Sequence, residues 1–357
     1  MTSLIRSRFL KVAYFLIILG SISSCSSKNN NFIIVDESNL QEWTDLSNVL
    51  EVSSIIQLET SDSVLLSPYP YKVKIHDDKL YVFDANVGKG LYIFNMEGML
   101  IKKIINNNGE GDFALYHSQD FAIIPDKGQI AIMDLRLQSI LFFDINTYAY
   151  LDEILLPNPS VNFEYINGKF YLNPSKNSDF EFGHFIEVWD GNFTNIENSF
   201  FPYSENSNGN FRLSQKINFN SEKLVFWETF NDTIYTIGVK DQALEKIYVD
   251  FSKKIPKDLY YKSLQEKIEY VQNSKNFTTF INNVIIKDEL LLFNFAYYGG
   301  SLNYSNNSNQ SLISKGFRVG DLEIDKIIGY INDDYLYSLI ADEQDNYNVK
   351  VVLLKIK

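Results

Sequence analysis

The sequence predicts an all-β fold: a six-bladed β-propeller of four-stranded antiparallel blades, with an N-terminal strand completing the last blade and one inserted helix. Three observations carry this. Short apolar runs separated by turn residues recur from Tyr71 to the C-terminus. The apolar residue after the first turn of each repeat (Leu80, Ile130, Phe170, Leu224, Leu290, Leu336) returns roughly every 40 to 65 residues, and four-stranded propeller blades run about 40–50 residues. Aromatic residues are abundant, with 27 Phe and 23 Tyr, and both types favour strands.

The first repeat is the cleanest. In its first strand, residues 71–76, Val73 and Ile75 alternate with Lys72 and Lys74, the pattern of a half-buried strand. Asp77-Asp78 turns into the second strand, 80–83. A loop at 86–90 leads to the third, 91–95, and Glu97-Gly98 makes a tight hairpin into the fourth, 99–105. Called a to d from the axis outward, these strands recur at 122–124, 129–133, 139–143 and 150–155. The third repeat takes 162–166, 169–172, 185–189 and 193–201, and the fourth 215–219, 223–227, 233–237 and 244–251. Pro256 then opens a stretch with Tyr260, Leu264, Ile268 and Val271 at helical spacing, so a helix is expected over 257–274. The fifth repeat reads as strands at 280–286 and 290–295, a long polar loop over 296–314, and a strand at 316–319. The sixth has three strands, 326–331, 335–340 and 348–356. The unpaired apolar run 52–59 is expected to supply its fourth, leaving no open edge.

At the N-terminus, Arg6, Arg8 and Lys11 precede an apolar run, 12–22, too short to span a bilayer comfortably. It ends Ile22-Ser23-Ser24-Cys25, which is similar to a bacterial lipobox, where the cysteine is lipidated and becomes the new N-terminus. Cys25 is the one cysteine, so no intrachain disulfide can form. The expected organisation is a lipoprotein signal peptide (1–24), the lipidated cysteine and a tether (25–50), and the propeller (51–357) with its helical insert (257–274). A lipid anchor holds a protein on a membrane face rather than across it. Ser26, where an aspartate would suggest inner-membrane retention, points to the outer membrane of the cell envelope.

Net charge is -13, and loss of the signal's three cations takes it to -16. That argues against nucleic acid as a partner, because phosphate binding needs a basic surface. The three histidines (His76, His117, His184) have no zinc-site spacing. Gly109-Glu110-Gly111 lacks the strand–loop–helix context of a phosphate cradle. The acidic run 342–346 lacks the ligand spacing of a calcium loop. No metal, cofactor or catalytic set is therefore assigned.

Blade geometry puts b–c loops and d–a connections on one face and a–b and c–d turns on the other. The longer segments (105–118, 201–214, the helical insert, 296–314) belong to the first face, and function concentrates in long loops on rigid scaffolds. The candidate ligand-binding residues there are Asp84, Lys89, His117, Asp134, Arg136, Arg212 and Arg318. Asp62-Ser63-Val64 and Asp232-Thr233-Ile234 resemble an Asp-Ser/Thr-apolar O-glycosylation signal, making Ser63 and Thr233 candidate glycan acceptors.

The run from Asp77 to Asp84, followed by Lys89-Gly90-Leu91-Tyr92-Ile93-Phe94 and Asn108-Gly109-Glu110-Gly111-Asp112-Phe113, resembles the six-bladed β-propeller lipoproteins of anaerobic Gram-negative bacteria, themselves similar to NHL-repeat propellers. Gln57-Leu58-Glu59-Thr60 matches that family's "LET" phrase. The resemblance covers most of residues 53–357 and is strongest in the first two repeats. It departs in the Gly-rich turn, which lacks the usual proline. It implies the fold and an envelope location, and no catalytic residues. The expected function is a membrane-anchored binding or scaffolding module for a protein, peptide or glycan. The alternative is a hydrolase or lyase acting on a polysaccharide or lactone at the propeller mouth.

Overall fold

The computed structural model describes residues 31–357 apart from residues 63, 68–71, 108–112, 175–183, 203–216, 220–221, 228–231, 252–255, 257, 260–261, 263–264, 267–268, 271–277, 298–299, 308–309 and 342–347. Three strands come first: β1 (Asn31–Val35), β2 (Leu40–Asp45) and β3 (Leu50–Gln57). Blade 1 is β4 (Lys72–His76), β5 (Lys79–Asp84), β6 (Gly90–Asn95) and β7 (Leu100–Ile105). Blade 2 is β8 (Ser118–Ile124), β9 (Gln129–Asp134), β10 (Ser139–Asp144) and β11 (Tyr150–Leu155). Blade 3 is β12 (Ser160–Ile166), β13 (Lys169–Pro174), β14 (His184–Asp190) and β15 (Ile196–Pro202). Blade 4 is β16 (Ile217–Phe219), β17 (Lys223–Trp227), β18 (Thr233–Gly238) and β19 (Leu244–Phe251). Blade 5 is β20 (Thr278–Lys287), β21 (Leu290–Tyr297), β22 (Gly300–Asn307) and β23 (Gln310–Val319), with β24 (Leu322–Ile324) folded back on β23. Blade 6 is β25 (Gly329–Tyr330), β26 (Tyr335–Ala341) and β27 (Val349–Ile356). The six-bladed all-β architecture is the one the repeats predict.

The b and c strands read as nearly unbroken apolar runs because both of their faces are buried. In β5, Leu80 and Val82 pack toward blade 6 while Tyr81 and Phe83 pack toward blade 2. Among the described residues the core divides into six hydrophobic clusters, one for each interface between neighbouring blades. The tight turns suit their residues. Asp77 and Asp78 both hold positive φ (47° and 53°), as do Asn167 and Gly168 (51° and 81°), the backbone of a two-residue hairpin turn.

Closure follows the expected route. β3 pairs antiparallel with β27, with Ile56 opposite Val351 and Leu50 opposite Ile356, and completes blade 6. Glu59, just beyond it, locks this seam to blade 1. Its N–H donates to the Gly98 carbonyl at 2.8 Å, and its carboxylate accepts the Leu100 N–H at 2.8 Å. Gly98 sits at φ 84°, and a Cβ there would fall 1.9 Å from the Gln57 carbonyl oxygen.

Two expectations change. Residues 31–45, placed within the tether, form outer strands: β1 joins β19 on blade 4, and β2 runs parallel to β23 on blade 5. Trp43 of β2 lies against Gly316, where a Cβ would come 2.2 Å from its ring. The polar stretch 296–314, read as a loop, is mostly the β22–β23 hairpin. Its Asn303 joins a side-chain ladder with asparagines of β20 and β21: Asn283 Nδ2 donates to Asn294 Oδ1 (2.8 Å), Asn294 to Asn303, and Asn303 Nδ2 to the carbonyls of Lys315 (2.8 Å) and Asp325 (2.9 Å). The helix expected over 257–274 falls mainly outside the described residues. Within it Gln265, Glu266, Glu269 and Tyr270 are helical, and Gln265 Nε2 donates to Glu269 Oε1 at 2.9 Å.

Candidate functional site

The innermost strands of blades 1, 2 and 3 bring four charges together on the central axis. Lys72 on β4 reaches across two blades. Its Nζ lies 3.2 Å from Asp120 Oδ1 on β8 and 3.2 Å from Glu164 Oε2 on β12. It also donates to the carbonyls of Phe121 (2.7 Å) and Phe163 (3.1 Å), with both of those rings within 6 Å. Lys74, one pleat along β4, meets the same Glu164 oxygen at 2.9 Å. Asp120 accepts the N–H groups of Phe121 (2.8 Å) and Phe163 (2.9 Å). The set is two cations and two anions, with every charge paired, as burial requires.

Burial works against three of these charges. On Glu164 the two lysines outweigh it and hold the carboxyl below the usual glutamate value. On Lys72 the Asp120 and Glu164 carboxylates outweigh it and raise the ammonium above the usual lysine value. On Asp120 burial prevails and pushes the carboxyl up. Tyr337 of blade 6 is pushed up by burial, against the Val73 N–H, which donates to its hydroxyl oxygen.

Glu164 and Lys74 also face a cavity of about 600 Å³. It opens at the axis on the face of the a–b turns, walled by Pro125 and Asp126 of blade 2, Tyr165 to Gly168 of blade 3 and Ile331 to Asp333 of blade 6. The Tyr165 hydroxyl donates to Asp126 Oδ2 at 2.7 Å. Burial, with that carboxylate beside it, pushes the phenol up to about 12. Three carboxylates (Asp126, Glu164, Asp333) against one ammonium (Lys74) leave the lining acidic. Asp77, Asp78 and Asp288 add further carboxylates in turns on the same face. Among the described residues there is no group of three or more His, Cys, Asp or Glu that could hold a metal.

Six of the seven residues expected to bind ligand are described. Asp84 and Asp134 end the second strands of blades 1 and 2, fully buried. Asp84 accepts the N–H groups of Ser67 (2.5 Å), Asn86 (2.9 Å) and Gly88 (3.0 Å). Asp134 accepts those of Tyr116 (2.6 Å), His117 (2.8 Å), Arg136 (2.8 Å) and Leu137 (2.9 Å). Each carboxylate ties a b–c loop to the connection entering its own blade. Lys89, His117 and Arg136 are exposed on that face, Arg136 stacking 4.5 Å over Tyr116. Arg318 lies elsewhere, paired to Glu323 at 2.5 Å on the β23–β24 hairpin. Thr233 is buried at the start of β18, so its hydroxyl does not face the solvent that a glycan requires. Arg212, Cys25 and Ser63 lie outside the described residues, as does the acidic run 342–346. Sequence reading missed Lys72, Asp120 and Glu164. Their signal was a charge within the innermost strand of three successive repeats.

A family model described as a domain of unknown function, DUF4934, matches residues 29–349. Among solved structures, a Bacteroides fragilis protein named for its expected export superposes with a TM-score of 0.71 at 17% identity, covering 91% of this chain and 99% of that one. A member of the DUF4221 family from Bacteroides vulgatus gives 0.56 at 11% identity, covering 87% and 99%. At such identities the likeness is one of fold alone. No curated protein matches the chain.

Proposed function

We propose that this chain, which belongs to the DUF4934 family, is an envelope-anchored binding module whose partner inserts a cationic group into the mouth of the channel on the a–b-turn face. The observation that carries this is the acidic cavity beside Glu164. A rigid propeller presents the cavity, and the ion-paired cluster behind it fixes the floor in place. Pockets of a few hundred cubic ångströms with a few convergent polar groups are the usual form of a binding site. The lipobox ending at Cys25 supports attachment to a membrane, with the outer membrane favoured by Ser26. A basic peptide suits the lining, because its ammonium groups would meet Asp126 and Asp333 where a negatively charged glycan would be repelled.

Titration with lysine-rich, glutamate-rich and neutral oligosaccharide ligands, followed by fluorescence anisotropy, tests this reading. The lysine-rich peptide is expected to bind, and Asp333→Lys to weaken it about tenfold or more, a change of about 1.4 kcal/mol. Asp152→Lys, at an exposed position on the outer strand of blade 2, makes the same charge change away from the cavity lining and should leave binding nearly unchanged. Equal losses from both variants would mean a diffuse charge effect and would sink the proposal.

A further inference from the structure

The outer strands splay apart, so the faces they turn toward a neighbouring blade reach the surface. Blade 4 carries β1 as a fifth strand beside β19, as blade 5 carries β2 beside β23. Val35 packs with Val249 and Phe251 in the interface with blade 5. Ile34 therefore points to the opposite side of the sheet, the side on which Leu244, Lys246 and Tyr248 follow one another along β19. Ile34 is 65% exposed, Tyr248 46% and Leu244 44%. Lys246 sits among them, its ammonium 5.7 Å over the Tyr235 ring. Asp250, next in that row, is half-buried.

The chain leading to this edge indicates what covers it. Eight residue steps separate Cys25 from Ile33, a reach of at most about 28 Å. Residues 26–35 carry one lysine, Lys28, and no carboxylate; the first acid is Asp36. In a strongly acidic protein this is a segment an anionic surface does not repel. Apolar side chains with a lysine among them match a bilayer interface, where hydrocarbon meets the acyl boundary and ammonium meets anionic headgroups.

We propose that the outer edge of blade 4 (Ile34, Leu244, Lys246 and Tyr248) rests on the lipid bilayer and holds the propeller side-on, leaving both mouths of the channel facing the aqueous phase. This rests on the reading of Cys25 as lipidated. The test uses the full lipid-bearing protein in vesicles of phosphatidylethanolamine and phosphatidylglycerol doped with brominated phosphatidylcholine, with intact mass reporting the lipid on Cys25. Tyr248→Trp should show a loss of tryptophan emission beyond that of the parent protein. Ile101→Trp, on the outer strand of blade 1, should show none. Lipidated protein in which Tyr248→Trp is not quenched, or in which Ile101→Trp is quenched as much, overturns the orientation and leaves the anchor standing. Protein whose Cys25 carries no lipid overturns both.

Discussion

At Lys72 a single ammonium serves three blades, and the consequence is a sharp asymmetry between removing one partner and removing several. Lys72→Met leaves Asp120 buried without its cation, and breaking a buried pair in this way costs about 3–5 kcal/mol. Adding Asp120→Asn removes the orphaned carboxylate while Glu164 keeps its pair with Lys74, and should recover much of that loss in urea unfolding. The alkaline limb reports on the same residue. The Lys72 folded value is raised above the ordinary 10.5, so its stabilisation is fully present below about pH 10.5 and is lost as pH rises through the folded value. The stability gap between the parent protein and Lys72→Met should narrow as pH rises above that value. In acid two groups oppose each other. The depressed Glu164 loses stabilisation as pH falls through its folded value, while the raised Asp120 relieves a burial penalty as it protonates. Asp84 and Asp134 could be found in the sequence as acids at the ends of second strands. Their role could not, because it depends on the direction of the side chain. Facing inward, each spends its oxygens on loop N–H groups rather than on a ligand.

Among the elements, β3 and the β22–β23 hairpin bear the clearest consequences. Register along β3 puts Ile56 in the interface between blades 6 and 1 and turns Ile55 to solvent. Ile56→Ala is expected to cost about 2–5 kcal/mol, and Ile55→Ala to stay within about 0.5 kcal/mol. Equal costs for the two would mean that the seam is not paired in this register. In blade 5 the Asn283–Asn294–Asn303 ladder is buried, so Asn294→Leu strands amides on both sides and should destabilise by about 1–3 kcal/mol in the same assay. That ladder also explains why the hairpin was hard to read. Strand recognition relies on alternating apolar residues, and here Asn, Ser and Tyr occupy the strands because their polar groups satisfy one another inside the blade. The closing strand was legible for the opposite reason: Ile56 and Leu58 lie in an apolar run that had no partner nearby in sequence. β1 and β2 are short, polar in part and paired with blades more than 200 residues away, so nothing local marks them as strands.

For the whole molecule, the propeller gathers acidic turns and the cavity beside Glu164 on the face opposite the long loops. Loop length pointed to the other face, where the described residues show loops held by buried aspartates. The cavity depends on how three innermost strands and three turns converge on the axis, an arrangement that exists only once the ring is closed. A side-on attachment through blade 4 would keep that mouth open to a partner in the aqueous phase. The most direct measurement is a crystal structure of the protein with a bound lysine-rich peptide. The predicted result is a lysine ammonium inside the cavity beside Asp126 or Asp333, with Glu164 still paired to Lys74 and Lys72. A peptide seated in the opposite mouth, or spread along the outer strands with the cavity untouched, would contradict it.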